Sequence, residues 1–332
     1  MLDLSRGAAN AVQVCMGVKR GEVVLILTDE QRENIGHALA AECELVEAPA
    51  HVLKIEDFVK RPARGLPDAL LQRINEIAPV VSFYAATKQE GELAFRRPYM
   101  KRVIYELHAR HAHMVGIDDR CMVEGMAADY DEVARLTGAI NDIVKEARTV
   151  EAQAPSGTDM RVTLDPARRR WRPCPGLYRS PGEWGNLPEG ETYTSPATLE
   201  GVIGAEVLGD HFSEKYGVLE SPMLFEVVDG RVRHVEHPDT QMRSEMEKYL
   251  AQHENSDRVG EFAIGTNVAL QALSGNLLQD EKIPGVHVAF GYPYPQETGA
   301  DWDCPSHCDV LATRSTIKVD GEYLMRDGIF VI

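Results

Sequence analysis

The sequence lacks long apolar segments and an excess of positive charge. No run of about 18 apolar residues occurs in its 332 residues, so we expect no membrane-spanning helix. Its 35 Lys and Arg residues are outnumbered by 52 Asp and Glu residues, giving a net charge of −17. This balance argues against a nucleic-acid partner, which requires clustered basic residues. Residues 1–8 lack a basic start followed by an apolar run, so we expect no signal peptide and a cytoplasmic enzyme.

Cysteine pairs and common cofactor motifs are also missing. The six cysteines are scattered, and without a secretory signal a disulfide framework is not expected. Cys304 and Cys308 flank His307, but without a second cysteine pair they match a zinc–thiolate site poorly. The sequence contains no Gly-x-Gly-x-x-Gly, no phosphate-binding loop and no Gly-x-Ser-x-Gly motif. A nucleotide cofactor and a nucleophilic serine elbow are therefore not indicated.

The first part of the chain alternates between strand and helix patterns. The predicted strands are residues 22–28, 51–55 and 79–84, and the predicted helices are residues 29–42 and 97–108. Such alternation is typical of an α/β layer with a parallel sheet. A long helical pattern follows over residues 130–152. We therefore predict an α/β N-terminal domain over residues 1–145, and a second domain over residues 146–332.

The second part contains antiparallel hairpin signals. Strand patterns cover residues 160–164 and 200–208, and a polar helix is predicted over residues 239–253. Asp229-Gly230 and Asp320-Gly321 each separate two strand patterns, and Asp-Gly is a strong signal for a tight hairpin turn. These features predict an α+β domain with a mixed or antiparallel sheet.

Five carboxylate and imidazole residues in this second part are candidate metal ligands. Alone, Glu191 is typical of a surface turn and His287 of a hydrogen-bonded core histidine. Together with Glu261, His307 and Asp309, they follow one another on apparent strands or strand ends beside glycine and apolar residues. Residues at positions i and i+2 of a strand share a face, so His307 and Asp309 could reach one ion. Oxygen and nitrogen ligands suit Zn, Co, Mn or Fe. Polar residues contributed by several strands or strand ends favour a cleft of the kind that metal hydrolases require.

A second histidine group has an ordinary explanation. His108, His111 and His113 are predicted to lie at a helix end near Arg102 and Arg110, with no carboxylate at ligand spacing. Cations near a helix C-terminus interact favourably with the helix macrodipole. We therefore expect no metal site there.

Several stretches of the sequence resemble the thermophilic metallo-aminopeptidase family, which includes aminopeptidases T and S and related leucyl aminopeptidases. The resemblance is specific over roughly residues 155–332 and weaker around residues 18–24. The stretches that carry it are Ser156-Gly157-Thr158-Asp159-Met160-Arg161, Asn186-Leu187-Pro188-Glu189-Gly190-Glu191, Gly260-Glu261-Phe262-Ala263-Ile264-Gly265, Asp280-Glu281-Lys282-Ile283, His287-Val288-Ala289-Phe290-Gly291 and His307-Cys308-Asp309.

This resemblance implies a homodimeric aminopeptidase that hydrolyses an N-terminal peptide bond or related amide with two divalent ions, such as Zn, Co, Mn or Mg. It implies six metal-binding residues: Glu191, Glu261, His287, Tyr294, His307 and Asp309. Glu191 or Glu261 would be the general base, and Tyr294 would be a ligand or an oxyanion donor. The family carries Thr-Glu-Glu where this chain has Glu189-Gly190-Glu191, so the middle carboxylate, at the position of Gly190, is missing.

Two alternatives stay open. The dihydroxypyridine dioxygenases resemble this family in fold but use one Fe(II). They keep His-x-Asp, have a histidine at the position of Glu261, and lack the equivalents of Glu191 and His287. Because this chain has all three, hydrolysis is favoured. The other alternative is a non-catalytic binding protein, which would not be expected to retain a full set of costly buried charges.

Overall fold

The computed structural model describes residues 2–332, so Met1, where the segment considered for a signal peptide starts, lies outside it. The chain forms two compact units. One contains the residues up to Ala134 together with Gly176–Glu189, and the other contains Arg135–Pro175 with Gly190–Ile332. A single boundary between residues 145 and 146 stays a prediction. Over residues 2–332, no helix has the length and apolar character needed to cross a membrane.

Eighteen strands are present in residues 2–332. They are β1 Val24–Thr28, β2 Ala50–Lys54, β3 Val81–Ala86, β4 Arg110–Val115, β5 Thr149–Gln153, β6 Asp159–Thr163, β7 Arg172–Cys174, β8 Trp184–Asn186, β9 Glu191–Thr194, β10 Thr198–Leu208, β11 Val218–Val228, β12 Arg231–Glu236, β13 Val259–Gly265, β14 Gly285–Gly291, β15 His307–Thr313, β16 Thr316–Val319, β17 Glu322–Arg326 and β18 Ile329–Phe330.

The helices of this part of the chain are short to medium in length. They are α1 Ser5–Ala9, α2 Glu33–Leu45, α3 Asp68–Ile77, α4 Leu93–Met100, α5 Asp119–Val123, α6 Tyr130–Val144, α7 His211–Tyr216, α8 Thr240–Leu250, α9 Leu277–Asp280 and α10 Pro295–Thr298. Asn10–Cys15 and Lys101–Glu106 form π-helical turns, and Ile55–Asp57 and Gly125–Ala127 form 3₁₀ turns.

The first unit is an α/β layer, as predicted. Its five strands are parallel and lie in the order β2–β1–β3–β4–β8. Strands β1 and β3 are buried along their whole length, which explains why their side chains do not alternate between apolar and exposed polar residues. Helices α3 and α4 contribute Leu70, Ile74, Phe95 and Tyr99 to the core around these strands.

The second unit contains an antiparallel sheet, which confirms the predicted α+β class. The order is β18–β17–β16–β5–β6–β10–β15–β14–β13–β9–β7, and the β11–β12 hairpin joins through β10. Both predicted hairpins are present. Asp229 and Gly230 have φ angles of 52° and 67°, and Asp320 and Gly321 have φ angles of 47° and 90°, as a turn with two left-handed residues requires.

The helix predicted over residues 130–152 is too long. Helix α6 ends at Val144, and the chain then forms strand β5. Val150 and Ala152 are buried while Glu151 is exposed, which is the period of two expected for a strand. The last residues of the predicted helix fit a helical pattern as well, but the pairing of β5 with β6 and β16 makes them a strand.

The predicted location of the histidine group is also wrong for two of its three members. His111 and His113 lie in strand β4, and only His108 lies at a helix end. Ser82 Oγ is 2.8 Å from His111 Nδ1, and His111 Nε2 is 3.2 Å from His113 Nδ1. Burial lowers the pKa of His111 to about 3. These imidazoles are therefore neutral links of an internal hydrogen-bond chain, and the helix macrodipole does not explain them.

Candidate metal centre

Four of the candidate side chains lie on one face of three neighbouring strands. Glu261 in β13 is paired with Ala289 in β14, which is paired with Asp309 in β15. His287 lies two residues before Ala289, and His307 lies two residues before Asp309. Directly paired residues, and residues two apart on a strand, point to the same face of a sheet. The strand register therefore brings these two histidines and two carboxylates together.

Glu191 joins the same face from a fourth strand. It is the first residue of β9 and is paired with Gly265 at the end of β13. Small residues on this face, among them Ala263, Ala289 and Gly265, leave room for the polar cluster. The opposite face carries the apolar residues Phe262, Ile264, Val286, Val288, Phe290, Cys308 and Val310, which belong to the core of the unit. Since Cys308 points into that core, it faces away from His307.

Two glycines fix the strands where the cluster lies. Between the pairs Val259–Phe290 and Glu261–Ala289, Gly260 is an extra residue that forms a β-bulge. A Cβ atom on Gly260 would lie 2.2 Å from the carbonyl oxygen of Gly291. Gly291 itself has a φ of +105°, and a Cβ there would lie 2.1 Å from the carbonyl oxygen of Ser306. Larger residues at either position would displace the strand ends that carry Glu261 and His307.

Glu261, His307 and Asp309 form the first group of possible ligands, with donor atoms that all lie within 4.8 Å of one another. His307 Nε2 is 3.6 Å from Glu261 Oε2 and 3.3 Å from Asp309 Oδ1. His307 Nδ1 lies 3.1 Å from the carbonyl oxygen of Tyr292, to which it donates a hydrogen bond. That bond orients the ring and directs Nε2 toward the two carboxylates, as the supporting contacts of metal-ligating histidines do.

Glu191, Glu261 and His287 form the second group. His287 Nε2 is 3.5 Å from Glu191 Oε2 and 3.6 Å from Glu261 Oε1. Each oxygen of Glu261 therefore faces a different histidine. Such separations exceed a good hydrogen bond, and they are close to the roughly 3.4 Å between two ligand atoms of one tetrahedral zinc. Glu191 Oε2 is buried without a hydrogen-bond partner. The donor set and this buried oxygen without a hydrogen bond fit a divalent metal.

The cluster is strongly coupled electrostatically. Burial disfavours the charged imidazoles, but Asp309 raises the pKa of His307 to about 10, and Glu261 raises the pKa of His287 to about 9. Burial also raises the pKa of Glu261. For Asp309 burial acts in the same direction, but the neighbouring His307 lowers its pKa to about 2. Without metal, the site is a network of buried charges that hold one another in place.

Tyr294 lies beside this cluster. Its ring is 5.2 Å from the His307 ring and 5.4 Å from the Tyr193 ring, measured between centroids. Burial, followed by the charges of Glu261 and Asp309, raises the pKa of its phenol well above the usual value. The hydroxyl is therefore neutral and able to donate a hydrogen bond. The structure thus places all six predicted residues at one site, while their roles as ligands stay predictions.

The sequence-based site omitted two residues, Glu281 and Lys282. Lys282 Nζ lies 2.7 Å from Glu191 Oε1 and 2.8 Å from Glu281 Oε1, and the lysine side chain is only 1% exposed. Burial raises the pKa of Glu281 to about 7. The run Asp280-Glu281-Lys282 is polar and would be typical of a surface turn. The one sequence signal that could have identified Glu281 and Lys282 is their place in Asp280-Glu281-Lys282-Ile283, a stretch that resembles the aminopeptidase family.

Known proteins similar to this chain include one family and several solved structures. The family described as thermophilic metalloprotease (M29) matches residues 119–322. Wild-type AmpT from Thermus thermophilus is similar in structure, with a TM-score of 0.71, 17% identity and coverage of 99% of both chains. A 2,5-dihydroxypyridine dioxygenase from Pseudomonas putida KT2440 has a TM-score of 0.69 and 14% identity, with 99% of this chain and 96% of that chain covered. No curated protein has a significant sequence match.

Proposed function

This chain belongs to the thermophilic metalloprotease (M29) family, and from that premise we propose that it is an aminopeptidase. The family match supports a metal-dependent peptidase, and the resemblance to aminopeptidases supports cleavage at the N-terminal peptide bond or a related amide. The observation that carries the proposal is Glu261, which presents one oxygen to His307 and the other to His287. A shared carboxylate flanked by two histidine groups is suited to two neighbouring divalent ions.

Each ion would have its own ligands in addition to Glu261. His307 and Asp309 would hold one ion, and Glu191 and His287 would hold the other. Zn, Co, Mn or Mg are the candidate metals. A bound divalent ion polarises a carbonyl and lowers the pKa of bound water toward neutrality.

The remaining groups of the site suit proton transfer and substrate orientation. Glu281 has a pKa raised to about 7 by burial, and it lies within electrostatic reach of Asp309, Glu191 and His287. Glu281 would not be a ligand of either ion, so its carboxylate suits a general base better than Glu191 or Glu261, which would serve as ligands. The neutral phenol of Tyr294 would donate a hydrogen bond to the developing oxyanion.

The resemblance to aminopeptidases supports action at a free N-terminus. Glu191, Glu261, Glu281 and Asp309 are all largely buried, and Lys282 is paired with two of them. Two divalent ions would offset the charge of these carboxylates, and a neutral substrate α-amine could then bind one of the ions. We therefore propose that the substrate is a small peptide or amide with an unblocked α-amine.

A ring-cleaving dioxygenase is the second candidate, since the dioxygenase structure matches 99% of this chain. The TM-scores of 0.69 and 0.71 do not separate the two folds. The family match and the presence of Glu191, Glu261 and His287 favour hydrolysis. Oxygen uptake by Fe(II)-loaded protein with a dihydroxypyridine, without peptide cleavage, would support the dioxygenase.

The test is release of an N-terminal residue by metal-loaded protein. We expect turnover with members of a panel of dipeptides and aminoacyl-anilides, and none with their N-acetylated counterparts. H307A should lose both metal and turnover while keeping its fold. Cleavage of neither series, in protein shown to contain metal, would contradict the proposal. Homodimer formation and cytoplasmic location stay predictions, and light scattering tests the first.

A further inference from the structure

The site contains a fixed positive charge that the ligand set does not explain. Lys282 is completely buried, and its ammonium contacts Glu191 Oε1 and Glu281 Oε1 at 2.7 and 2.8 Å. Its backbone is held between α9 and β14, since its N–H donates to Gln279 O and its carbonyl accepts from Asn267 N. A buried ammonium is retained only when paired. Its two carboxylate partners therefore keep it next to the ligands.

The effect of Lys282 differs between the two ligand groups. Glu191 binds the lysine through Oε1, while its Oε2 faces His287 at 3.5 Å. An ion beside Glu191 and His287 would share that carboxylate with an ammonium. In the other group, His307 Nε2 contacts Asp309 and Glu261 at 3.3 and 3.6 Å. A carboxylate of one position is therefore shared with an ammonium, which Glu281 also contacts.

We infer that Lys282 makes the two metal positions unequal. The ion held by Glu261, His307 and Asp309 binds tightly, and the ion held by Glu191, Glu261 and His287 binds weakly. This inference rests on the proposed metal centre and concerns how it fills. A unit charge at such separations changes the affinity for a divalent ion by at least about tenfold, even at an effective dielectric constant near 20. Purified protein would then hold one ion firmly and gain the second only at higher metal concentration.

The test is a titration of chelator-treated, full-length protein with Mn²⁺, in which free Mn²⁺ is measured by its electron paramagnetic resonance signal. Wild-type protein should bind two ions in two steps that differ at least about tenfold in affinity. H287Q should remove the weak step, and H307Q should remove the tight step. Two wild-type steps within about threefold of each other would overturn the inference without any variant.

The variant that tests the lysine itself is K282M, which keeps the length of the side chain and removes the charge. The weak step should tighten at least about tenfold, because the ion is no longer repelled by an ammonium. In the variant, the positive charge of the ion offsets the negative charges of Glu191 and Glu281 instead. K282R, which keeps the charge, should retain the gap. K215M is the matched control, because Lys215 belongs to the same unit and pairs with Glu245 at the surface. It should leave both steps unchanged.

A weaker second step in K282M than in the wild type would contradict the inference and assign Lys282 a role in orienting Glu191. K282Q gives the same comparison if K282M does not fold. These readouts are independent of turnover. Two unequal binding steps without peptide cleavage would overturn the proposed aminopeptidase activity and leave the inference about Lys282 intact. Peptide cleavage with two equal binding steps would overturn the inference and leave the aminopeptidase activity intact.

Discussion

Metal binding to this protein should depend strongly on pH, because an ion must displace protons from both histidines of the site. In the metal-free protein burial opposes their charge, but neighbouring carboxylates raise the pKa of His307 to about 10 and that of His287 to about 9. Both imidazoles are therefore protonated at neutral pH. Neutral imidazole is the form that binds a metal.

The size of the effect follows from these values. A pKa of about 10 lies about three units above pH 7, and each unit corresponds to about 1.36 kcal/mol. The proton on His307 should therefore weaken metal binding at pH 7 by about 4 kcal/mol. Between about pH 7 and about pH 8, the affinity of the position that contains His307 should rise about tenfold.

Calorimetric titration with Mn²⁺ measures this effect directly. The titration is done at each pH in two buffers with different enthalpies of protonation, and the difference in heat gives the number of protons released. We expect about one proton for each ion bound. H37Q, which removes an exposed histidine of the first unit, should leave the result unchanged. A heat that is independent of buffer, with equal affinities at both pH values, would refute the reasoning.

Three further predictions concern stability. Because the pKa values of His287 and His307 lie above the ordinary value near 6.5, the stability they add to the metal-free protein is complete below about pH 6.5 and is lost as the pH rises through about 9 and 10. Urea unfolding with a chelator should show it, and a free energy of unfolding that rises toward pH 10 would contradict it. G291A should lower the free energy of unfolding by at least about 2 kcal/mol, because its Cβ would overlap Ser306. G321A, at a position with φ +90° and open space around it, should lower it by about 1 kcal/mol. Equal losses in urea unfolding would count against the proposed strain. Mn²⁺ at about a hundred times its dissociation constant should stabilise the protein by about 2.7 kcal/mol, and an unchanged melting temperature would contradict binding to the folded state.

Local sequence patterns were sufficient to predict much of the fold. The Asp-Gly turns predict both hairpins because few residue pairs adopt two successive left-handed conformations. Because side chains alternate along a strand, the polar residues Glu261, His287 and Asp309 between apolar neighbours are predicted to share the face opposite the apolar core. The end of α6 was missed because residues 145–152 fit a helical pattern as well, and pairing of β5 with two distant strands decides the outcome.

The geometry of the site could not be predicted from local patterns. Glu191 meets Glu261 through the pairing of β9 with β13, whose register depends on residues about 70 positions apart. Lys282 and Glu281 resemble a solvated turn in sequence, and only the tertiary structure buries them. His111 and His113 form part of a short pattern compatible with helix or strand, and the parallel sheet selects the strand.

Location of bound metal in a crystal is the most direct test. Crystals grown with Mn²⁺ and measured near the manganese absorption edge should show an anomalous peak within about 2.2 Å of donor atoms from Glu261, His307 and Asp309. A weaker second peak should lie beside Glu191 and His287. Peaks found only elsewhere, with these side chains turned apart, would contradict the account.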